Sequence, residues 1–183
     1  MYCKKIAYNQ LKQQGFSLIE LMVVIVIIVI VSALALPRYF DYISQTQVVR
    51  VYGELASVKS ATDAALFSGK KPVTNSVPTN SVEEYIGYNA SLSSLVSNFD
   101  IHFQGNDTFA NVALVATLGE SASLDVVGSV LVFSRHFDSE TKIVDHAGWR
   151  CKYFKGGPYG AASGWNPKFT PAGCTAVNGV YTP

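Results

Sequence analysis

One window dominates this chain: Phe16–Leu36 holds 21 residues with a single charge, Glu20, and two serines, Ser17 and Ser32. From Leu21 to Val31 no side chain carries a polar atom except the Met22 thioether. Wound as a helix, the window spans ~31 Å, close to the hydrocarbon thickness of a bilayer. Such a segment excludes an entirely cytoplasmic soluble protein. Because it occurs once, it also excludes a polytopic transporter. The rest of the 183 residues reads as an ordinary, rather polar sequence, with room for one globular domain plus one long accessory element. Disordered and collagen-like chains are excluded by the 49% hydrophobic content and the absence of a glycine period. A net charge of +1 excludes a nucleic-acid binder that works by bulk charge.

Lys4, Lys5 and Lys12 precede the window without a compensating acid. The N-terminus should therefore stay in the cytoplasm while everything after the window crosses. Cys151 and Cys174 then face an oxidising compartment and Cys3 a reducing one. Three readings fit. Ala33-Leu34-Ala35 has the small-x-small form of a secretory cut site. Against it, the apolar core is longer than the usual signal and holds a carboxylate. A simple uncleaved anchor is the second reading. The third gives Glu20 a task, because a carboxylate moved toward a bilayer centre costs roughly 2–3 kcal/mol unless it finds a cation or lies shallow.

The run Gln14-Gly15-Phe16-Ser17-Leu18-Ile19-Glu20-Leu21-Met22-Val23-Val24 favours the third. It resembles the class III signal of type IV prepilins: a basic leader ending in glycine, then phenylalanine, then glutamate as fifth residue of the mature chain. The likeness is dense from Gly15 to Pro37. It implies that a prepilin peptidase cuts between Gly15 and Phe16 and methylates the new amino terminus of Phe16. A glycine before the scissile bond lets a membrane protease approach the backbone closely. Cutting would create an ammonium on Phe16 as partner for Glu20, within the chain or in a neighbouring subunit; the resemblance favours the neighbour. In an apolar filament core that pair would set axial register more than it would add stability. The 15-residue leader is longer than the short leaders of the type IVa subclass, although Phe16 fits that subclass.

Pro37 would interrupt a helical ladder, yet a helical stripe resumes at Val48, Val51, Leu55, Val58, Thr62 and Ala65, opposite Arg50, Glu54, Lys59 and Asp63. Ser68-Gly69 is a natural stop, with Pro72 beyond. The expectation is a helix over Phe16–Ser68, ~80 Å long, with a kink or melted turn at Pro37. It resembles the pilin spine, whose proline lies 22 residues into the mature chain. Its first half is apolar all round and its second half amphipathic, so it can leave lipid only by entering a bundle of identical helices. Gly53 interrupts the second half and reads as packing relief.

In the remainder, Ser81-Val82-Glu83-Glu84 has the form of a capping box opening a turn or two of helix. Phe99–Phe103 alternates weakly; stronger strands are expected over Val112–Leu118, Val130–Phe137 and Lys142–Phe154, the last broken at Gly148. Short charged turns at Gly119–Asp125 and Asp138–Thr141 favour an antiparallel meander covered by the Val48–Ala65 stripe. The glycosylation triplets at Asn89 and Asn106 are given no role. The fold expected is α+β: a long N-terminal helix on an antiparallel sheet head, again resembling the pilin fold. The parts are a leader (1–15), an apolar helix (16–36), an amphipathic helix (37–69) and a head (70–183).

Between Cys151 and Cys174 lie 22 residues rich in glycine and proline. A disulfide here would stabilise by ~3 kcal/mol in the loop-entropy picture. A thiol-metal site is the alternative, though His102, His136 and His146 show no ligand spacing with either cysteine. The segments Trp149–Cys151 and Pro171–Cys174 resemble the borders of the disulfide-bounded region of major pilins, which implies the Cys151–Cys174 bond. Few backbone hydrogen bonds are expected within the loop, so the cross-link should supply most of its order.

After Asp145 no acid appears, while Arg150, Lys152, Lys155 and Lys168 interleave with Trp149, Tyr153, Phe154, Tyr159, Trp165 and Phe169. Such a segment can bind nucleic acid or a host surface. The favoured reading packs the aromatics inward and offers the cations to an acidic face of a neighbour. Loss of the leader's three lysines would leave 11 basic and 13 acidic residues, so acidic surface is available. No nucleophile elbow, phosphate loop or zinc-protease helix is present, and no enzyme, metal or cofactor is expected.

The resemblance implies a structural subunit of a type IV pilus. It is held first in the inner membrane, then polymerised by the pilus assembly machinery into a helical surface fibre of a bacterium serving adhesion, twitching motility or DNA uptake. Two alternatives are a type II secretion pseudopilin, whose C-terminal acidic calcium loop is missing here, and a signal-anchored extracytoplasmic binding domain that never polymerises.

Overall fold

The structure is a computed structural model describing residues 15–75, 77–103, 111–119, 121–138 and 143–182, with side chains described outside 136–138 and 143–147. The leader residues Cys3, Lys4, Lys5, Lys12 and Gln14, the Asn106 triplet, most of the turn after Asp138 and the side chains of His136 and His146 thus lie outside the described residues.

Helix α1 runs Leu18–Phe67. The chain divides after Tyr39 into two compact units. In the first, every side chain of 18–31 is exposed, as all-round apolar patterning requires of a helix with no protein partner. Pro37 lies inside α1 and the helix continues through it, so the expected melted turn is absent. Proline removes one N–H, which leaves the carbonyl four residues back, at the exposed Ala33, without its ladder partner. One lost bond at an exposed position does not force the helix open.

In the second unit the buried residues of α1 are Ser44, Val48, Val51, Leu55, Val58, Thr62 and Ala65, the expected stripe extended by one serine. The helix closes in a Schellman motif. Gly69 takes φ +71° and donates to the Leu66 carbonyl at 3.0 Å, while Lys70 N–H reaches the Ala65 carbonyl at 2.9 Å. Gly53 is not packing relief within the chain, because a Cβ there would meet nothing within 4 Å.

Strands β1 (Lys71–Val73) and β2 (Glu83–Tyr85) pair in parallel. Where a capping-box helix is expected at 81–84, residues 81–82 form a turn and Glu83 and Glu84 enter β2. The Glu84 carboxylate, which the Ser81 spacing would turn back as a cap, pairs with the Lys70 ammonium at 2.9 Å. The Glu83 carboxylate accepts from the Thr79 N–H at 2.9 Å and from the Thr79 hydroxyl and so fastens the preceding turn. These hydrogen bonds from Thr79 hold the Glu83 carboxyl below the usual glutamate range.

The main sheet is an antiparallel meander of β3 (Val96–Phe103), β4 (Val112–Leu118), β5 (Val130–Asp138) and β6 (Ile143–Gly157). Around Gly148, at φ +60°, the register of β5 and β6 shifts, so β6 bulges without breaking. Two further strands were not anticipated. Strand β7 (Gly160–Ala161) folds back on the end of β6, and β8 (Cys174–Val180) joins the free side of β6 in parallel.

Strand alternation sends two sets of side chains to two faces. Leu114, Ala116, Leu131, Phe133 and Tyr153 share a core with Val48, Val51, Leu55 and Val58 of α1. Ala113, Val115, Val130 and Val132 form a second buried cluster on the opposite face. The C-terminal tail covers that cluster: the Tyr181 N–H donates to the Gly156 carbonyl at 2.7 Å, and its ring stands edge-on to Phe154 at 5.4 Å.

Asp63 joins α1 to the sheet. Its carboxylate accepts from Arg135 Nη1 at 2.6 Å and from Trp149 Nε1 at 2.9 Å, with only 12% of the Arg135 side chain exposed. Asp63→Ala would leave a nearly buried guanidinium and an indole N–H without their acceptor. We expect a loss of about 2–4 kcal/mol, read as a lowered urea midpoint of the detergent-solubilised chain, with Asp63→Asn intermediate. An unchanged midpoint would show that the clamp carries no stability.

Burial also pushes the Tyr153 phenol up to about 12. In the unfolded chain a tyrosine ionises near pH 10. The raised value means that Tyr153 favours the fold fully below pH 10 and that this contribution is lost as pH climbs toward 12. In an alkaline titration followed by circular dichroism, Tyr153→Phe should unfold at higher pH than the parent. Coincident curves would remove Tyr153 from the transition.

Candidate functional site

Gly15, Phe16 and Ser17 precede α1 and are not helical, and Phe16 is 90% exposed. The helix starts at Leu18 because Ser17 and Glu20 form a capping box. The Ser17 backbone N–H and its hydroxyl both donate to Glu20 Oε2 at 2.8 Å, and the Glu20 N–H returns to Ser17 Oγ at 3.3 Å. The Ser-x-x-Glu spacing that signals this cap is present in the sequence, at Ser17 and Glu20. Glu20 lies in the first turn of α1, while Gly15, Phe16 and the peptide bond between them lie outside the helix.

Glu20 included, α1 holds an 18-residue stretch of mean hydropathy 3.1, none of it buried, long and apolar enough to cross a membrane. The exposed apolar surface and the box are continuous along α1. A chain cut at Gly15 would place a new ammonium one residue before the cap and four before the Glu20 carboxylate.

The second expected feature is the loop closed by Cys151 and Cys174. The two are register partners on β6 and β8, their Cα atoms 4.5 Å apart, and they form a disulfide. The thiol-metal alternative falls with that bond. Among the described residues, no three histidine, cysteine or carboxylate side chains are grouped to hold a metal ion.

The expectation that the cross-link supplies most of the loop's order is corrected. Residues 152–157 continue β6, β7 adds a hairpin, and Pro167–Phe169 form a 3-10 turn whose Asn166 side chain accepts from the Lys168 N–H at 3.0 Å. Ala162 and Phe169 are buried in the head. Glycines allow this close folding, since a Cβ at Gly156 would collide with the Gly160 carbonyl and one at Gly164 with Asp125. Ladder hydrogen bonds and burial thus hold the loop together with the bridge.

The aromatics of the basic tail do turn inward: Tyr153 and Phe169 are buried, and Trp165 stacks at a tilt 5.9 Å from Tyr153. Tyr159 is the exception, 64% exposed with its hydroxyl donating to Asp100 at 3.3 Å. The expected acidic neighbour is, for Lys168, within its own chain. Its ammonium lies 2.7 Å from Asp41 on α1.

The model of the family described as pilin, a bacterial filament protein, matches residues 44–175. That of the prokaryotic N-terminal methylation motif matches residues 10–36. The chain is 46% identical to fimbrial protein Q of Moraxella bovis over 168 residues, covering 88% of this chain and 97% of that one. It is 39% identical to the type IV major alpha-pilin of the same species over 168 residues, covering 88% and 96%. A Pseudomonas aeruginosa fimbrial protein is 36% identical over 163 residues, again covering 88% and 96%. Among solved structures, a Cs1 pilin chimera superimposes with a TM-score of 0.53 at 18% identity, covering 72% of this chain and 96% of that one, a likeness of fold. With a family model over most of its length, relatives of this identity and the same helix-on-sheet head, the chain belongs to the pilin family of bacterial filament subunits.

Proposed function

We propose that this pilin is the structural subunit of a type IV pilus, made as a membrane-held precursor, cut between Gly15 and Phe16, methylated on Phe16 and polymerised into a helical surface fibre. The observation that carries the proposal is the fully exposed apolar length of α1. Its aliphatic side chains, left in water, would forgo burial energy on the order of tens of kcal/mol. Lipid satisfies them in the precursor. Outside lipid, an equivalent apolar surface is supplied by the same segment of other copies, so homo-oligomerisation follows from the requirement for burial. A secretion pseudopilin or a non-polymerising anchored domain is not favoured, because the relatives named above are fimbrial proteins and a type IV major pilin.

The organisation that goes with this function is a leader (1–15), an apolar helix for membrane and filament core (16–36), an amphipathic helix (37–69) and a head (70–183). Pro37 gives the helix a place to bend when it moves from lipid to fibre. Prepilin peptidase and the pilus assembly machinery are the processing partners. The inner membrane is the first location and the cell surface the last, and adhesion, twitching motility or DNA uptake is the work of the fibre.

Two outcomes test the processing and the register. Gly15→Val should leave an uncut precursor in the membrane, because a β-branched side chain blocks approach to the backbone; mature subunit of normal size on an immunoblot would contradict the cleavage site. Glu20 caps its own helix in the uncut chain, so its charge and its cap must be separated. Glu20→Gln keeps an acceptor for Ser17 and removes the charge, and it should lower the yield of sheared fibre as Glu20→Val does. Ser17→Ala weakens the cap by roughly 1 kcal/mol and keeps the charge, so it should leave the yield near that of the parent. Fibre loss in Ser17→Ala but not in Glu20→Gln would assign Glu20 to capping alone.

A further inference from the structure

We infer that Tyr39, Phe40 and Tyr42 form an interfacial belt that seats the unassembled subunit in the headgroup layer of a phospholipid bilayer. The inference rests on the reading above that the apolar part of α1 crosses a membrane. From Leu18 to Leu36 the helix rises ~28 Å, the depth of the hydrocarbon layer. The turn that follows is therefore at headgroup level.

That turn is aromatic and exposed. Tyr39, Phe40 and Tyr42 are 59%, 59% and 63% exposed, and the first fully buried residue of α1 is Ser44. At 100° per residue the three rings spread over ~160° of the helix surface, more than one packing contact covers. Two of them carry a hydroxyl. Rings with one apolar body and one wet tip favour the boundary between acyl chains and water, whereas a dry protein interface would have to satisfy each hydroxyl.

The charges agree with lipid as occupant. Arg38 is exposed beside the rings, with a stem long enough to reach lipid phosphate. Asp41, the one acid of the turn, is held by Lys168 at 2.7 Å, so it offers lipid phosphate no unpaired negative charge. Length, aromatic content and charge thus place one boundary at one depth. The belt fixes how far the subunit stands out of the membrane, and extraction into a fibre must first release it.

The test uses the full-length chain in vesicles of phosphatidylethanolamine and phosphatidylglycerol, with Phe40→Trp as a depth reporter and the parent's Trp149 and Trp165 signal subtracted. Lipids brominated near the headgroup end of the acyl chain should quench the introduced indole at least about twice as strongly as lipids brominated near the methyl end. Adding Tyr39→Ser and Tyr42→Ser should reduce that shallow quenching by roughly half. Stronger quenching from the methyl end would place the turn in the hydrocarbon and overturn the belt. Quenching by aqueous acrylamide with none from lipid would leave the turn in water and overturn it too. Protection from both would make a second copy of the chain the occupant and overturn lipid as the partner. In all three the protein stays with the vesicles in alkaline carbonate. Release of the protein by carbonate would instead overturn the membrane reading, and the belt with it.

Discussion

A single continuous helix must satisfy two environments, and the rest of the structure depends on that. The helix runs Leu18–Phe67, yet side chains 18–31 have no protein against them while the stripe of Val48, Val51, Leu55, Val58, Thr62 and Ala65 is buried in the head. A folded head cannot supply a partner for the first part, because an all-round apolar surface cannot be covered from one side. The partner must surround the helix, and lipid and a bundle of like helices are the two surroundings of that geometry. Polymerisation is thus written into the patterning of one element.

The head is built to hold the second part firmly. Its sheet places Phe133 5.3 Å from Tyr52 and brings Arg135 and Trp149 to Asp63, so apolar contact and a charge clamp act on the same stretch of α1. Nearer the start of the head, the buried Ser44 hydroxyl pairs with Ser123 at 2.7 Å, and Gln47 accepts from the Ser123 N–H at 2.8 Å. The disulfide adds to a loop that is already laddered and buried. Its cross-link spans adjacent strands, so it restrains the parallel β6–β8 pairing where that pairing begins.

How much was legible follows from where each signal is stored. The stripe from Val48 to Ala65 and the meander strands could be read because burial against one partner imposes a period on neighbouring residues. The same logic failed for Glu84, whose spacing from Ser81 suits a helix cap but whose carboxylate pairs with Lys70 at 2.9 Å. Strand β8 was invisible because its partner β6 precedes it by a long loop and its burial alternates only weakly. The role of Tyr181 depends on where the tail crosses the sheet, which no local pattern encodes. At the N-terminus the residues Gly15, Phe16 and Glu20 were recognisable by resemblance, whereas the Ser17 cap needed only the rule for helix starts. The helical period puts Asp63 opposite the buried stripe, and a helical wheel does not show a guanidinium arriving from β5.

The claim most in need of direct test is that the exposed apolar segment survives into the fibre as its core. Fibres sheared from cells and washed free of membrane can be dissociated and their subunit weighed intact by mass spectrometry. A subunit beginning at N-methylated Phe16, carrying the whole apolar segment, is the expected result. A subunit beginning after Ala35 would mean that the segment is a discarded secretory signal and that the fibre is held together by the heads.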